Sequence, residues 1–146
     1  MRVTIPLVLV LLLGAAATPQ DTVKKEMAQL DGEWSMVSGE ANGMQMPDAM
    51  VKTGKRVAKD GKTTITISGQ IYLKAKFTID PTKKPKAIDY TMTEGPTKGK
   101  THLGIYELDG DTVKFCFAAP GKERPTEFTA KEGSQQTLSV WKRDKK

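Results

Sequence analysis

The segment Tyr72-Leu73-Lys74-Ala75-Lys76-Phe77-Thr78-Ile79 decides the fold class of this chain. Every second residue from Leu73 to Ile79 is apolar, and the residues between them are lysine or threonine. A repeat of two residues with one polar face is typical of antiparallel strands that bury one face and expose the other. The segment therefore predicts a β-strand with Leu73, Ala75, Phe77 and Ile79 on the buried side.

The same alternation recurs along the chain and predicts an all-β fold. About eight strands are expected, at residues 33–40, 54–59, 63–68, 71–80, 86–93, 101–109, 112–118 and 136–143. Turn-forming sequences separate them: Asp60-Gly61, Ser68-Gly69, Asp80-Pro81, Glu94-Gly95-Pro96, Asp109-Gly110 and Ala119-Pro120-Gly121. Phe128 is a candidate for one further short strand, and Pro47 to Val51 for a single helical turn.

Short connections between consecutive strands favour an up-and-down meander. A meander of this size removes its exposed edges by closing on itself, so we expect an antiparallel up-and-down β-barrel. An eight-stranded barrel holds either packed side chains or one small ligand. The alternation assigns these residues to the core: Ile65, Ile67, Leu73, Phe77, Ile79, Ile88, Tyr90, Val113, Phe115, Leu138 and Val140.

The first 17 residues have the pattern of a secretory signal peptide. Arg2 provides a positive start, residues 3–13 are almost wholly aliphatic, and Ala15-Ala16-Ala17 provides small residues at a cleavage site. The apolar run is shorter than the roughly 20 helical residues that span a bilayer. We therefore expect cleavage after Ala17, release without a transmembrane anchor, and an extracytoplasmic location, periplasmic or secreted.

The remaining chain is expected to be one domain with a short lead. Residues 18–29 form the lead. Val23, Met27 and Leu30 fall at helical spacing and predict a short helix from Val23 to Leu30 that leads into the barrel and ends before Gly32. Residues 30–146 form the barrel, which is long enough to bury a core as a monomer. Cys116 is the only cysteine, so an intrachain disulfide is excluded.

The charge balance is basic, with 23 lysine and arginine residues against 17 aspartate and glutamate residues, a formal net charge of +6. The basic residues are scattered among acidic ones, with denser groups at residues 83–86 and 142–146. Because the protein is expected to be exported and no recognition helix is apparent, we do not expect nucleic acid as a partner. A solvated surface is the simpler interpretation, with weak attraction to anionic envelope polymers as the alternative.

The two ends of the predicted barrel carry a pattern seen in calycins. Gly32-Glu33-Trp34 opens the first strand, and Trp141-Lys142-Arg143 closes the last. This arrangement resembles that of lipocalins and fatty-acid-binding proteins, in which a tryptophan near the start closes one barrel end and a basic residue of the final strand packs across it. The resemblance implies that Trp34 is the closing ring and that Lys142 or Arg143 is the cation over it. Lys142 shares the face of Leu138 and Val140, which the alternation assigns to the interior.

A longer resemblance covers residues 30–143. The segments that carry it are Asp80 to Asp89, Glu94 to Thr101, Gly104 to Thr112 and Pro120 to Phe128. Together they resemble an uncharacterised, secreted, lipocalin-like domain family best represented in planctomycete bacteria. The resemblance implies a lipocalin-like barrel, but it brings no established activity, because fold alone does not determine function.

The residues needed for catalysis are sparse. His102 is the only histidine and, with Cys116, the only candidate for a nucleophile–base pair. A two-residue turn at Asp109-Gly110 would place His102 opposite Phe117 and point Cys116 to the other face. A bulge or a longer turn would be needed to bring the two together. No spacing of metal ligands appears, so we expect no catalytic residues, no metal and no cofactor.

Three functions therefore remain open. The leading hypothesis is an exported, non-enzymatic binding protein with a small apolar ligand in its barrel. The alternative is a structural or interaction module with a packed barrel, whose outer loops contact an extracytoplasmic protein. Two such loops, Lys83-Lys84-Pro85 and residues 124–128, are candidates for a binding rim. The third and weakest hypothesis is an enzyme. The volume of the barrel interior distinguishes them.

Overall fold

The computed structural model describes residues 18–145, so the predicted signal peptide at residues 1–17 lies outside the described range. Its elements in chain order are α1 (Pro19–Leu30), β1 (Gly32–Ala41), β2 (Met44–Gln45), α2 (Asp48–Thr53), β3 (Lys55–Lys59), β4 (Lys62–Ile67), β5 (Gln70–Asp80), β6 (Lys86–Glu94), β7 (Thr101–Asp109), β8 (Thr112–Ala118) and β9 (Gln136–Arg143).

Eight of the strands form a closed antiparallel β-barrel. Its strand order is β1-β3-β4-β5-β6-β7-β8-β9, and pairing of β1 with β9 closes the ring. The short β2 is an additional strand that pairs only with the end of β1, at Glu40 and Ala41. The predicted all-β, up-and-down barrel is confirmed. β2 was not predicted, because two residues are too few to show an alternation.

Two-residue turns set the pairing of three hairpins. Asn42-Gly43, Asp60-Gly61 and Ser68-Gly69 each have positive φ at both residues, which is the type I′ geometry that suits twisted strands. Asp60-Gly61 and Ser68-Gly69 were predicted from sequence. Asparagine, aspartate and glycine tolerate this conformation better than most residues, so local sequence fixes these registers.

The turn between β7 and β8 differs from the prediction by one residue. Its central residues are Gly110 and Asp111, and Asp109 pairs with Thr112. Glycine with φ of 58° at the first central position is favoured in a type II′ turn, which explains the shift. Phe117 consequently lies opposite Gly104 rather than opposite His102.

Helix α1 covers one end of the barrel. Thr18 and Asp21 form a reciprocal capping box at its start, which satisfies two otherwise free amides. Leu30 at its end is buried in the core, and Met27 packs against the same cluster. The helix begins before the predicted Val23 because Pro19 suits the first helical turn. Among residues 18–145, no helix is long and apolar enough to cross a membrane.

The core prediction holds for most strands but is wrong for β9. Ile65, Phe77, Ile88, Tyr90, Val113 and Phe115 are all buried in one cluster. On β9 the buried residue is instead Trp141, and Val140 and Leu138 are only partly buried. Trp141 pairs with Val113, whose side chain is inside, and paired residues share a face. The inward face of β9 therefore consists of Thr137, Ser139 and Trp141, of which the first two are polar.

The segment of residues 119–135 packs over the outer face of the sheet. Arg124 holds it there: its Nη1 donates to the carbonyls of Ile88 at 3.2 Å and Gly104 at 2.8 Å, and its Nη2 lies 2.8 Å from Oδ1 of Asp89. Phe128 is part of this segment rather than of a strand, and the ammonium of Lys114 lies 4.6 Å from its ring centroid.

Candidate functional site

The end of the barrel under α1 is closed by Trp34 and Arg143. Trp34 is buried, and its Nε1 donates to the carbonyl of Leu30 at 3.1 Å. The guanidinium carbon of Arg143 lies 4.2 Å from the ring centroid of Trp34, within cation–π distance. Of the two basic residues considered, Arg143 makes this contact. Lys142 is exposed and lies on the outward face of β9, so its predicted inward direction is wrong.

Arg143 also ties the last strand to the end of α1. Its Nη1 donates to the carbonyl of Asp31 at 2.9 Å and its Nη2 to the carbonyl of Gln29 at 2.5 Å. Gly32 lies beneath the guanidinium, and a Cβ there would stand 3.1 Å from Nη1 at a φ of 131°. The glycine of Gly32-Glu33-Trp34 thus permits both the backbone conformation and the close approach of Arg143.

A second polar cluster fastens α1 to the barrel wall. Oε1 of Glu26 accepts from Nζ of Lys86 at 2.6 Å and from the hydroxyl of Tyr106 at 2.9 Å. Burial, together with this hydrogen bond, raises the pKa of the Tyr106 hydroxyl far above its usual range. These contacts hold α1 against the sheet, so the cluster stabilises the closed end of the barrel.

The opposite end of the barrel contains a cavity of about 250 Å³. It lies between the ends of β1, β4, β6 and β8 and the starts of β3, β5, β7 and β9. Most of the side chains around it are apolar or aromatic, including Met36, Met46, Ile65, Ile67, Leu73, Tyr90, Met92, Phe117 and Trp141. Below it the barrel is packed, with a void of only about 10 Å³ beneath Arg56 and Tyr90. The interior is therefore half filled and half open.

Arg56 forms the floor of this cavity. It points inward because it pairs with Trp34 on one side and Ile65 on the other, both of which face the core. Its residue surface is 3% exposed, and it borders both the cavity and the packed half. Its Nη1 donates to Oγ1 of Thr63 at 3.2 Å and to the hydroxyl of Tyr90.

Aromatic rings lie against the guanidinium of Arg56. Its guanidinium carbon lies 4.3 Å from the ring centroid of Phe115 and 4.7 Å from that of Trp141. None of the ion pairs formed among residues 18–145 includes Arg56. Its Nε is buried and has no hydrogen-bond partner within that range. A buried cation without an anion is costly, and this one lies at the floor of a cavity.

Polar groups gather around the mouth of the cavity. Glu40, Glu94 and His102 are among the residues that line it, and Oε1 of Glu94 forms an ion pair with Nζ of Lys74 at 3.7 Å. The Nδ1 of His102 is 3.0 Å from the carbonyl of Ala118 and its Nε2 is 2.8 Å from Oγ1 of Thr97. Since a carbonyl only accepts, Nδ1 carries a proton and donates to Ala118.

The structure does not bring His102 and Cys116 together. His102 faces the cavity, whereas Cys116 is buried on the outer face beneath residues 119–135. The thiol contacts the carbonyls of Glu127 at 3.5 Å and Thr129 at 3.3 Å. Burial raises the pKa of the Cys116 thiol, which disfavours the reactive thiolate. Within residues 18–145, no group of three or more His, Cys, Asp or Glu side chains is placed to hold a metal ion.

The two candidate rim loops lie elsewhere. Residues 124–128 belong to the segment over the outer face, and Lys83-Lys84-Pro85 borders a shallow groove beside Tyr106 near the closed end. Sequence reasoning missed Arg56 as a site residue. The run Lys55-Arg56-Val57-Ala58-Lys59 has charged residues on both faces. The alternation therefore does not show that Arg56 and Ala58, which are buried in the structure, share the inward face.

No protein-family model, curated protein sequence or solved structure matches this chain.

Proposed function

We propose that this chain is an exported, non-enzymatic binding protein that holds a small, mostly apolar molecule in the open half of its barrel. The proposal of export is supported by the signal-peptide pattern of residues 1–17. The proposed membership of a secreted, lipocalin-like family is supported by the sequence resemblance and by the barrel itself.

One observation carries the proposal of binding: the cavity of about 250 Å³ with a predominantly apolar lining. A barrel that served only as a scaffold would gain stability by filling this space, since a cavity costs roughly 24 cal/mol per Å³. The chain does fill the other half with Trp34, Phe77, Ile88, Val113 and Phe115. A mostly apolar cavity with a few polar groups is typical of a small-molecule site.

The rival interaction module is supported by the apolar residues exposed near the mouth. Met44 is 75% exposed, Ile71 52% and Tyr72 45%. Single exposed apolar side chains are common on protein surfaces, so this observation favours the rival less than the cavity favours a ligand.

A neutral fluorescent probe tests the proposal directly. N-phenyl-1-naphthylamine has no charge and becomes fluorescent in apolar surroundings, so it reports the cavity independently of Arg56. We expect saturable binding at one site per chain, and native mass spectrometry of protein exported by its own source should find a small molecule bound.

A matched pair of variants locates the probe. Thr137 lines the mouth and faces inward, so Thr137→Trp should fill the entrance and weaken probe binding at least tenfold. Val57 is exposed on the outer face of β3, so Val57→Trp adds the same ring without obstructing the cavity. Equal binding by both variants, or no binding by the unaltered protein, would contradict the proposal.

A further inference from the structure

We infer that the ligand is a small amphipathic monocarboxylate, with its carboxylate on Arg56 at the cavity floor and its apolar chain toward the mouth. The inference rests on the proposed function and adds the chemical class of the ligand.

The first argument is the missing counter-charge. A guanidinium is always charged, and Arg56 is buried with no carboxylate in ion-pair contact among the described residues. The rings of Phe115 and Trp141 compensate only in part, because a cation–π contact is weaker than a desolvated ion pair. A bound anion would complete the balance that the protein leaves open.

The second argument is the set of donors that remain. Both hydrogen bonds found for Arg56 within residues 18–145 use Nη1, and Nε has no partner. Nε is itself fully buried, so Nη2, for which no hydrogen bond is found among these residues, is the donor left for a carboxylate oxygen. The hydroxyl of Tyr90, held by Nη1, adds a further polar group beside the same site.

The third argument is the lining and the size of the cavity. Most side chains around it are apolar, so the part of the ligand beyond its carboxylate should be apolar as well. A volume of about 250 Å³ equals that of about eight waters at about 30 Å³ each, which matches a chain of roughly eight carbons.

The test compares four eight-carbon compounds by titration calorimetry near neutral pH: octanoate, octan-1-ol, octanedioate and octylammonium. We expect octanoate to bind roughly tenfold or more tightly than octan-1-ol, which corresponds to one charge-assisted hydrogen bond. Octanedioate should bind more weakly than octanoate because its second carboxylate would enter a mostly apolar cavity, and octylammonium because Arg56 repels its positive charge.

Arg56→Met removes the floor charge at similar length, and Lys59→Met removes an exposed, outward charge from the same strand. Arg56→Met should abolish the preference for octanoate over octan-1-ol and keep binding of N-phenyl-1-naphthylamine. Lys59→Met should change neither. Because an uncompensated buried charge is costly, Arg56→Met without ligand should melt at the same temperature as the unaltered protein or higher. A purely structural arginine would instead lower the melting temperature.

Equal affinity of the unaltered protein for octanoate and octan-1-ol would overturn the inference without any variant. A preference that survives Arg56→Met, or Arg56→Gln should the methionine variant not fold, would overturn it as well. Binding of the neutral probe without a preference for octanoate defeats this inference alone. Absence of binding by the neutral probe and by all four compounds defeats the proposed function too.

Discussion

Trp34 shows how one residue joins the two ends of the chain. Its ring lies under Arg143 of the last strand, and its indole nitrogen donates to Leu30 at the end of α1. The first strand, the last strand and the helix therefore all contact this single buried side chain. Its removal should weaken the packing between all three.

We expect Trp34→Ala to lower the free energy of unfolding by about 3–5 kcal/mol, the range for large buried aromatic residues. Val37→Ala on the same strand is the control, because Val37 is exposed and should change stability by less than about 0.5 kcal/mol. Urea denaturation followed by far-ultraviolet circular dichroism measures the free energy of unfolding of both variants. A loss below about 1 kcal/mol for Trp34→Ala would show that the contact does not hold the barrel closed.

Cys116 illustrates a polarisable side chain used for packing. It is buried under residues 119–135, and its pKa is raised by that burial. Iodoacetamide should therefore modify the native protein far more slowly than the urea-unfolded protein, as followed by the mass increase on alkylation. Cys116→Ser should leave probe binding unchanged. Rapid modification of the native thiol would contradict the buried position.

At the scale of elements, β9 tests which face of a strand is inside. Trp141→Ala should cost about 3–5 kcal/mol, because the ring is buried against Val113 and Arg56. Val140→Ala on the outward face should cost about 1 kcal/mol or less. Chemical denaturation of the two variants measures the difference, and the reverse order would restore the face chosen from the apolar pattern.

The existence of the strands was predictable because its signals are local. Alternation and the dipeptides Asp60-Gly61 and Ser68-Gly69 need only a few neighbouring residues. The face of β9 was not predictable in this way. It depends on pairing with β8 and β1, and the apolar pattern of Leu138 and Val140 misleads because the inward Thr137 and Ser139 border a cavity rather than a packed core.

The candidate site was harder to predict for the same reason. Arg56 lies inside only because its partners Trp34 and Ile65 do, and a charged residue is normally assigned to the surface. The lack of a carboxylate partner among residues 18–145 is a property of the folded barrel, and no local sequence pattern reveals it. The alternation could indicate a barrel with an interior, but not a cation at the floor of a half-open one.

At the scale of the whole molecule, cleavage after Ala17 is predicted to leave the capping box of α1 intact. Thr18 caps α1, and its amide lies 3.4 Å from Oδ2 of Asp21. Cleavage after Ala17 would place a new positive amino group beside that carboxylate, a favourable pairing. N-terminal sequencing of the exported protein should begin Thr18-Pro19-Gln20. An intact Met1 on the exported protein would contradict the proposed signal peptide.

The barrel is divided into a packed half and a hollow half, and its local stability should follow that division. Around Trp34 and Val113 the void is about 10 Å³, whereas around Thr137 and Phe117 the cavity is about 250 Å³. Fewer packed contacts lower the free energy of local opening, so amides near the cavity should exchange hydrogen faster than amides at the closed end of the same strands.

Strand β8 offers the sharpest comparison, because it runs from the packed half at Val113 to the cavity at Phe117. Amide exchange followed by nuclear magnetic resonance should show protection falling along this strand in the ligand-free protein. Addition of N-phenyl-1-naphthylamine should slow exchange at Phe117 and leave Val113 nearly unchanged, because binding stabilises only the openings that expose the site. Equal protection at both ends, or a uniform gain on adding the probe, would show that the barrel opens as one unit and that the cavity has no separate role in its dynamics.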